Sequence, residues 1–183
     1  EDKLFDSLAD TENSQGLIAV FKAQDLPLPD HLDFLLIPDQ VRDPGNLGTM
    51  LRTAEAAGIQ ALLLPPGTVD PWSPKVLRAG MGAHFRLPIY QWNWLAISTL
   101  LEGFKVFAAD MAGALSFWEA DFTQKTALLI GSEAEGISPE AQAFVTQTLR
   151  IPMAGGTESL NAAVSAAVMA FEVSRQRRQI TRN

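Results

Sequence analysis

Residues 126–136, TALLIGSEAEG, decide how the rest of the chain is read: an apolar run stops at Gly131, and a polar loop closed by Gly136 follows. A short apolar run bounded by turn residues reads as a strand, and one without polar alternation as a strand covered on both faces. At its end Gly131 and Gly136 permit unusual backbone angles, which leaves N–H and C=O groups free to meet the polar edge of a ligand. The bland alternative is a tight turn in which Glu133 and Glu135 are ordinary solvated acids. Two other stretches share the plan. DPGNLG (43–48) with Arg52 follows the run FLLI (34–37), and Ser159-Leu160-Asn161 follows the strand-like 148–151 and the turn Ile151-Pro152-Met153-Ala154-Gly155-Gly156. Three strand ends delivering glycine-rich loops and a few polar side chains to one place make a ligand site.

Outward from these loops the signals alternate. GLIAVF (16–21), FLLI (34–37), ALLL (61–64), KVFAA (105–109), TALLI (126–130) and Thr148–Ile151 read as strands. Helices are expected over Leu47–Ala57, ending at Gly58 as the residue after the C-cap, and over Pro74–Ala79 and Trp94–Leu101. Two more are expected over Pro139–Gln147, with Ser138 as N-cap, and over about Ser159–Arg178. The last is small and apolar at first and basic at its end, as the helix dipole favours. Strands alternating with helices predict an α/β fold, a mostly parallel sheet with helices on both faces. No internal repeat or flexible linker divides the chain.

Composition narrows the function classes. At 183 residues and 47% hydrophobic the chain is about one domain with a substantial core, and no apolar run approaches the roughly 18 residues a membrane helix needs. No membrane partner is expected. With no cysteine and only His31 and His84, thiolate zinc sites, disulfides and cysteine nucleophiles are excluded and a histidine metal centre is disfavoured, so no metal is expected and a cytoplasmic location fits. The net charge of −7 argues against a generic polyanion binder. Yet Arg42, Arg52, Arg78 and Arg86 fall near the loops, so local basic surface can exist. Gly45 and Gly48 do not make the dinucleotide fingerprint, and no phosphate-binding P-loop is present.

Single residues carry two readings each. Arg52 in a helix is by default a solvent-facing arginine, but its fork could grip a phosphate or carboxylate with two bonds. Asn46 could merely cap its helix. Ser159 is a natural N-cap, which places Asn161 in the first turn of the last helix, where capping does not explain it.

Taken in order, Asp43-Pro-Gly-Asn-Leu-Gly with Arg52-Thr-Ala-Glu, Ile130-Gly-Ser-Glu-Ala-Glu-Gly-Ile, Ile151-Pro-Met and Ser159-Leu-Asn-Ala resemble the three motifs of the SpoU/TrmH branch of SPOUT RNA methyltransferases. The likeness runs from about Phe34 to Val173, and Leu77-Arg78-Ala79-Gly80-Met81-Gly82-Ala83 resembles the intervening segment, with glycine at position 80 where the family more often has serine. The resemblance implies an S-adenosyl-L-methionine-dependent enzyme that methylates a ribose 2′-hydroxyl in RNA, ribosomal RNA rather than transfer RNA. It also implies a C-terminal trefoil knot and a homodimer that completes the site. Gly131, Glu133, Gly136, Ile151, Met153, Ser159, Leu160 and Asn161 match the cofactor-binding motifs, and Asn46 and Arg52 the first motif's functional pair. Arg52 would orient the hydroxyl and stabilise developing oxyanion charge or, as some family accounts have it, act as base, with Glu133 organising the site or passing the proton.

On this reading residues 1–30 are a lead-in with the first strand, following a removed N-terminal RNA-binding domain, and 31–183 the methyltransferase domain. The competing readings are an inactive RNA- or nucleotide-binding protein of the same fold and a non-RNA nucleotide enzyme such as a dehydrogenase.

Overall fold

The computed structural model describes residues 5, 16–20, 22 and 26–180. Strands β1 (Phe34–Pro38), β2 (Ala61–Leu64), β3 (Ile89–Gln91), β4 (Lys105–Ala109), β5 (Leu115–Ser116), β6 (Thr126–Ile130) and β7 (Gln147–Arg150) form one sheet in the order β3-β2-β1-β6-β4-β7-β5. Every pair is parallel. Helices α1 (Pro44–Ala57), α2 (Pro74–Gly80), α3 (Trp94–Leu100), α4 (Pro139–Gln142) and α5 (Ala162–Ile180) cover it. Because side chains alternate along a strand, Phe34, Leu36, Leu128 and Ile130 pack with Met50, Leu51 and Met169 of α1 and α5. Leu35, Ile37, Ala127 and Leu129 pack on the other face with Ile97 of α3 and Ala141 of α4. The expected α/β class, with a wholly parallel sheet covered on both faces, is what the chain forms. Strand β6 enters between β1 and β4, and β7 between β4 and β5, each between strands laid down earlier in the chain. Such insertions are compatible with the implied knot.

The local chemistry of α1 places the first motif. Asp43 caps the helix by accepting from the backbone N–H of Asn46 at 2.8 Å, Pro44 occupies the first turn, and Gly58 ends it at φ 80°. Gly48 is needed for packing: a Cβ there would lie 2.3 Å from the Ala79 Cβ, so its absence lets α2 lie against α1. Gly80, the departure from the family pattern, has a matching cause. A Cβ would come within 2.7 Å of the His84 ring, which is buried with its Nε2 donating to the Pro71 carbonyl at 2.8 Å.

His84 Nδ1 is buried without a hydrogen-bond partner among the described residues, and burial holds the imidazole below its ordinary pKa of 6.5. The folded state therefore binds this proton less readily than the unfolded chain. Its contribution is complete above about pH 6.5 and shrinks as pH falls below it, by no more than about 1.4 kcal/mol per pH unit for a single proton. Urea titrations at several pH values should show this acid-side loss in the parent chain. His84→Gln should have a flatter pH dependence over the same window; an unaltered one would assign the loss to other groups.

Three local expectations are corrected. The run 16–21 is not a buried strand: Leu17 to Val20 are irregular, with Leu17 82% and Val20 94% exposed, and Phe21 lies outside the described residues. Apolar character alone gives no strand without a neighbouring strand to complete its backbone bonds, and among the described residues 17–20 join no strand of the sheet. The helix expected over 139–147 is only the turn Pro139–Gln142; Ser138 caps it as expected, but Phe144 leaves to stack on Trp94 at 5.5 Å. The last helix starts at Ala162 rather than Ser159, because the Asn161 side chain accepts from the N–H groups of Ala163 and Val164. Asn161, not Ser159, is thus the N-cap. Strands β3 and β5 were too short to give a periodic signal.

Candidate active site

The C-terminal ends of β4, β6 and β7 open onto a cleft of about 260 Å³. Ligands bind outside the carboxyl ends of parallel strands because the loops there diverge to opposite faces. Gly131, Glu133, Gly136, Ile151, Met153, Ser159 and Leu160, seven of the eight residues expected to hold the cofactor, line it. The loop after β6 is folded back on itself: Ser132 N–H donates to Gly136 O at 2.9 Å and Gly136 N–H to Ser132 O at 3.0 Å, with Gly136 at φ 70°. Asp39 at the end of β1 is buried, and its Oδ2 accepts from Ser138 N–H at 2.6 Å. Burial raises the Asp39 pKa above its ordinary value.

The eighth residue, Asn161, joins the three motifs at the rim. Its Nδ2 donates to Asn46 Oδ1 at 2.9 Å and to Glu133 Oε1 at 3.4 Å, and Asn46 Nδ2 donates to the same Glu133 oxygen. Asn46 therefore does not cap α1, a role Asp43 fills; its amide connects Glu133 to Asn161. One Glu133 oxygen takes both amides, and Oε2 has no hydrogen-bond partner among the described residues. Asn46 and Asn161 lie 115 positions apart in sequence, so the junction exists only in the folded chain.

Arg52 stands apart. It is on the solvent side of α1 with Gly45, Thr49 and Ala56, while Leu47, Leu51 and Ala54 face the core. It does not line the cleft. The sequence reading also missed Asp110, Met111, Glu158 and Ser165, which do line it. Asp110 had a usable signal, since it directly follows the apolar run KVFAA and a strand end is where a parallel sheet presents its site.

What the cleft can hold follows from its walls. Leu149, Ile151, Met153 and Leu160 supply apolar surface, and the acidic residues Asp110, Glu133 and Glu158 also line it, with no lysine or arginine among the lining residues. That suits a ligand with an apolar part and a positive charge, and disfavours a pyrophosphate.

Residues 33–171 match the SpoU rRNA Methylase family. An uncharacterized tRNA/rRNA methyltransferase of Synechocystis is 36% identical over 176 residues, covering 92% of this chain and 64% of that protein. The Bacillus subtilis 23S rRNA (guanosine(2553)-2'-O)-methyltransferase RlmP is 36% identical over 171 residues, covering 92% of this chain and 68% of that protein. The chain thus spans about two thirds of the length of these curated relatives. Among solved structures, the AdoMet-bound rRNA methyltransferase from Sinorhizobium meliloti superposes with a TM-score of 0.87 at 34% identity, covering 96% of this chain and 70% of that one.

Proposed function

The chain belongs to the SpoU rRNA methylase family, and on that footing we propose that it methylates a ribose 2′-hydroxyl of RNA with S-adenosyl-L-methionine as donor. The observation that carries the reading is the Asn46–Glu133–Asn161 junction, in which three segments distant in sequence meet at the rim of an acidic, partly apolar cleft. The residues present fit the donor. The apolar side chains from 149–160 suit an adenosyl group, the acidic residues suit a sulfonium, and the absence of lysine and arginine among the described lining residues disfavours the dehydrogenase reading. Gly131, where a Cβ would meet the Gly136 backbone, lets the loop fold back on itself as one wall of the cleft. The donor supplies an activated methyl group.

The chain's own residues then have two tasks. One is alignment of the hydroxyl for in-line attack; the other is accommodation of the proton and charge released. A guanidinium holds its proton too tightly to be a good base, so Arg52 orients the hydroxyl or its neighbouring phosphate and stabilises the developing oxyanion. Glu133, oriented through one oxygen by both amides, offers Oε2 to the proton.

The exposed position of Arg52 on α1 supports a homodimer in which this residue serves the partner's cleft. Helix α5, packed on α1, exposes Val164 and Phe171 on one stripe, at 45% and 50%. Sedimentation at micromolar concentration should give a dimer; monomer alone would sink that arrangement. Ribosomal RNA is proposed over transfer RNA on the strength of relatives such as the RlmP enzyme. Methyl transfer from a labelled donor to fragmented total RNA, followed by mapping of the modified nucleotide, tests both activity and substrate. Donor binding without transfer to any RNA would favour the inactive alternative.

The junction makes its own prediction. Asn161→Ala should cost about 1 kcal/mol of stability through the lost cap, and donor affinity as well. Asn161→Asp keeps an oxygen for the cap but removes the amide and sets a second carboxylate beside Glu133. It should fold nearly as well as the parent in a thermal melt and still bind the donor weakly. Equal donor affinity in parent and Asp variant would remove the junction from the site.

A further inference from the structure

We propose that Arg42 is a substrate-phosphate contact that Glu135 masks until RNA arrives, an assignment that rests on the RNA methyltransferase reading. Arg42 comes from the turn between β1 and α1, and Glu135 from the loop after β6. The guanidinium meets the carboxylate with both arms, Nη2 to Oε2 at 3.0 Å and Nη1 to Oε1 at 3.5 Å. Gln40, held at φ 53°, adds an acceptor at 3.4 Å from Nη2. The two-armed seat taken by the Glu135 carboxylate is the one that two non-bridging phosphate oxygens would take.

The pair neighbours the Asn46–Glu133–Asn161 junction in sequence. Arg42 adjoins the capping Asp43, four positions before Asn46, and Glu135 is two positions from Glu133. Both side chains are largely exposed, 66% and 57%, so their contact contributes little and is readily exchanged. A purely structural latch has little to do here. The loop is already closed by the reciprocal Ser132–Gly136 bonds, by Glu135 N–H donating to Ser132 Oγ at 3.1 Å, and by the buried Asp39–Ser138 bond. On a chain of net charge −7, a carboxylate that must be displaced before the guanidinium is available also disfavours phosphates arriving without other contacts.

The test uses the full chain, with Arg42→Ala and Glu135→Gln, in methyl transfer to RNA at two salt concentrations and in calorimetric donor titration. Arg42→Ala should raise KM for RNA about tenfold and reduce the salt slope by about 1, with the loss in KM rather than kcat. Glu135→Gln, which unmasks the fork, should lower KM for RNA several-fold, and the double variant should behave as Arg42→Ala alone. An unchanged KM and salt slope in Arg42→Ala overturns the assignment. So does a rise in donor Kd shared by both single variants, which is the signature of a latch. A parent chain that transfers no methyl to any RNA defeats the underlying reading and this assignment with it, whereas transfer indifferent to both substitutions defeats only this one.

Discussion

Arg52→Ala should lower kcat for methyl transfer by about two to three orders of magnitude, the range for removing a preorganised group that stabilises developing oxyanion charge. Donor affinity should stay near that of the parent, because Arg52 lies outside the cleft of its own chain. Arg52→Lys keeps the charge but loses the planar fork, so it should fall between the two. Stability should hardly change, since the side chain faces solvent on α1 and its removal opens no cavity. The dimer arrangement adds a second measurement. If Arg52 serves the partner's cleft, mixing equal amounts of Arg52→Ala and a cleft variant such as Gly131→Ala creates heterodimers with one intact site, and about a quarter of parent activity should return. A mixture no more active than its components would show that guanidinium and cleft act within one chain, and near-normal turnover in both Arg52 variants would remove the residue from the chemistry.

The position of Arg52 shows what a sequence can and cannot specify about such a site. Its motif was legible, as were Asp43-Pro44 opening α1, Gly58 closing it and the buried runs of β1, β2, β4 and β6, since each depends on residues adjacent in the chain. The residues expected to hold the cofactor, Asn161 apart, line one cleft because strand ends of one parallel sheet have nowhere else to send their loops. The failures share a physical cause. Asn161 was misplaced because Ser159 and Asn161 are both good caps, and that Asn161 caps the helix while also meeting Asn46 and Glu133 is visible only in the folded chain. The segment 17–20 was misread because its pattern is that of a strand while among the described residues it joins no strand of the sheet. Arg42 and Glu135, 93 positions apart, form a pair that no local pattern announces.

Gly131→Ala tests the cleft most severely. A Cβ at this position would lie 2.3 Å from the carbonyl carbon and oxygen of Gly136 and 2.7 Å from the nitrogen of Ile137, so the obstruction is backbone against backbone and no rotamer relieves it. To admit even a methyl group, the loop must give up the reciprocal Ser132–Gly136 bonds that fold it back toward β6. Glu133 sits inside that loop, and opening it pulls the carboxylate away from Asn46 and Asn161 while displacing a wall of the cleft. The overpacking should cost about 1–3 kcal/mol in a denaturant titration. The effect on donor affinity should be larger, because the fold can relax at a surface loop but the cleft depends on that loop's position. Gly155→Ala is the control: a Cβ there meets nothing within 4 Å, so the variant should melt and bind the donor like the parent. Were Gly131→Ala to bind the donor with parental affinity, the loop after β6 would not be part of the cofactor site.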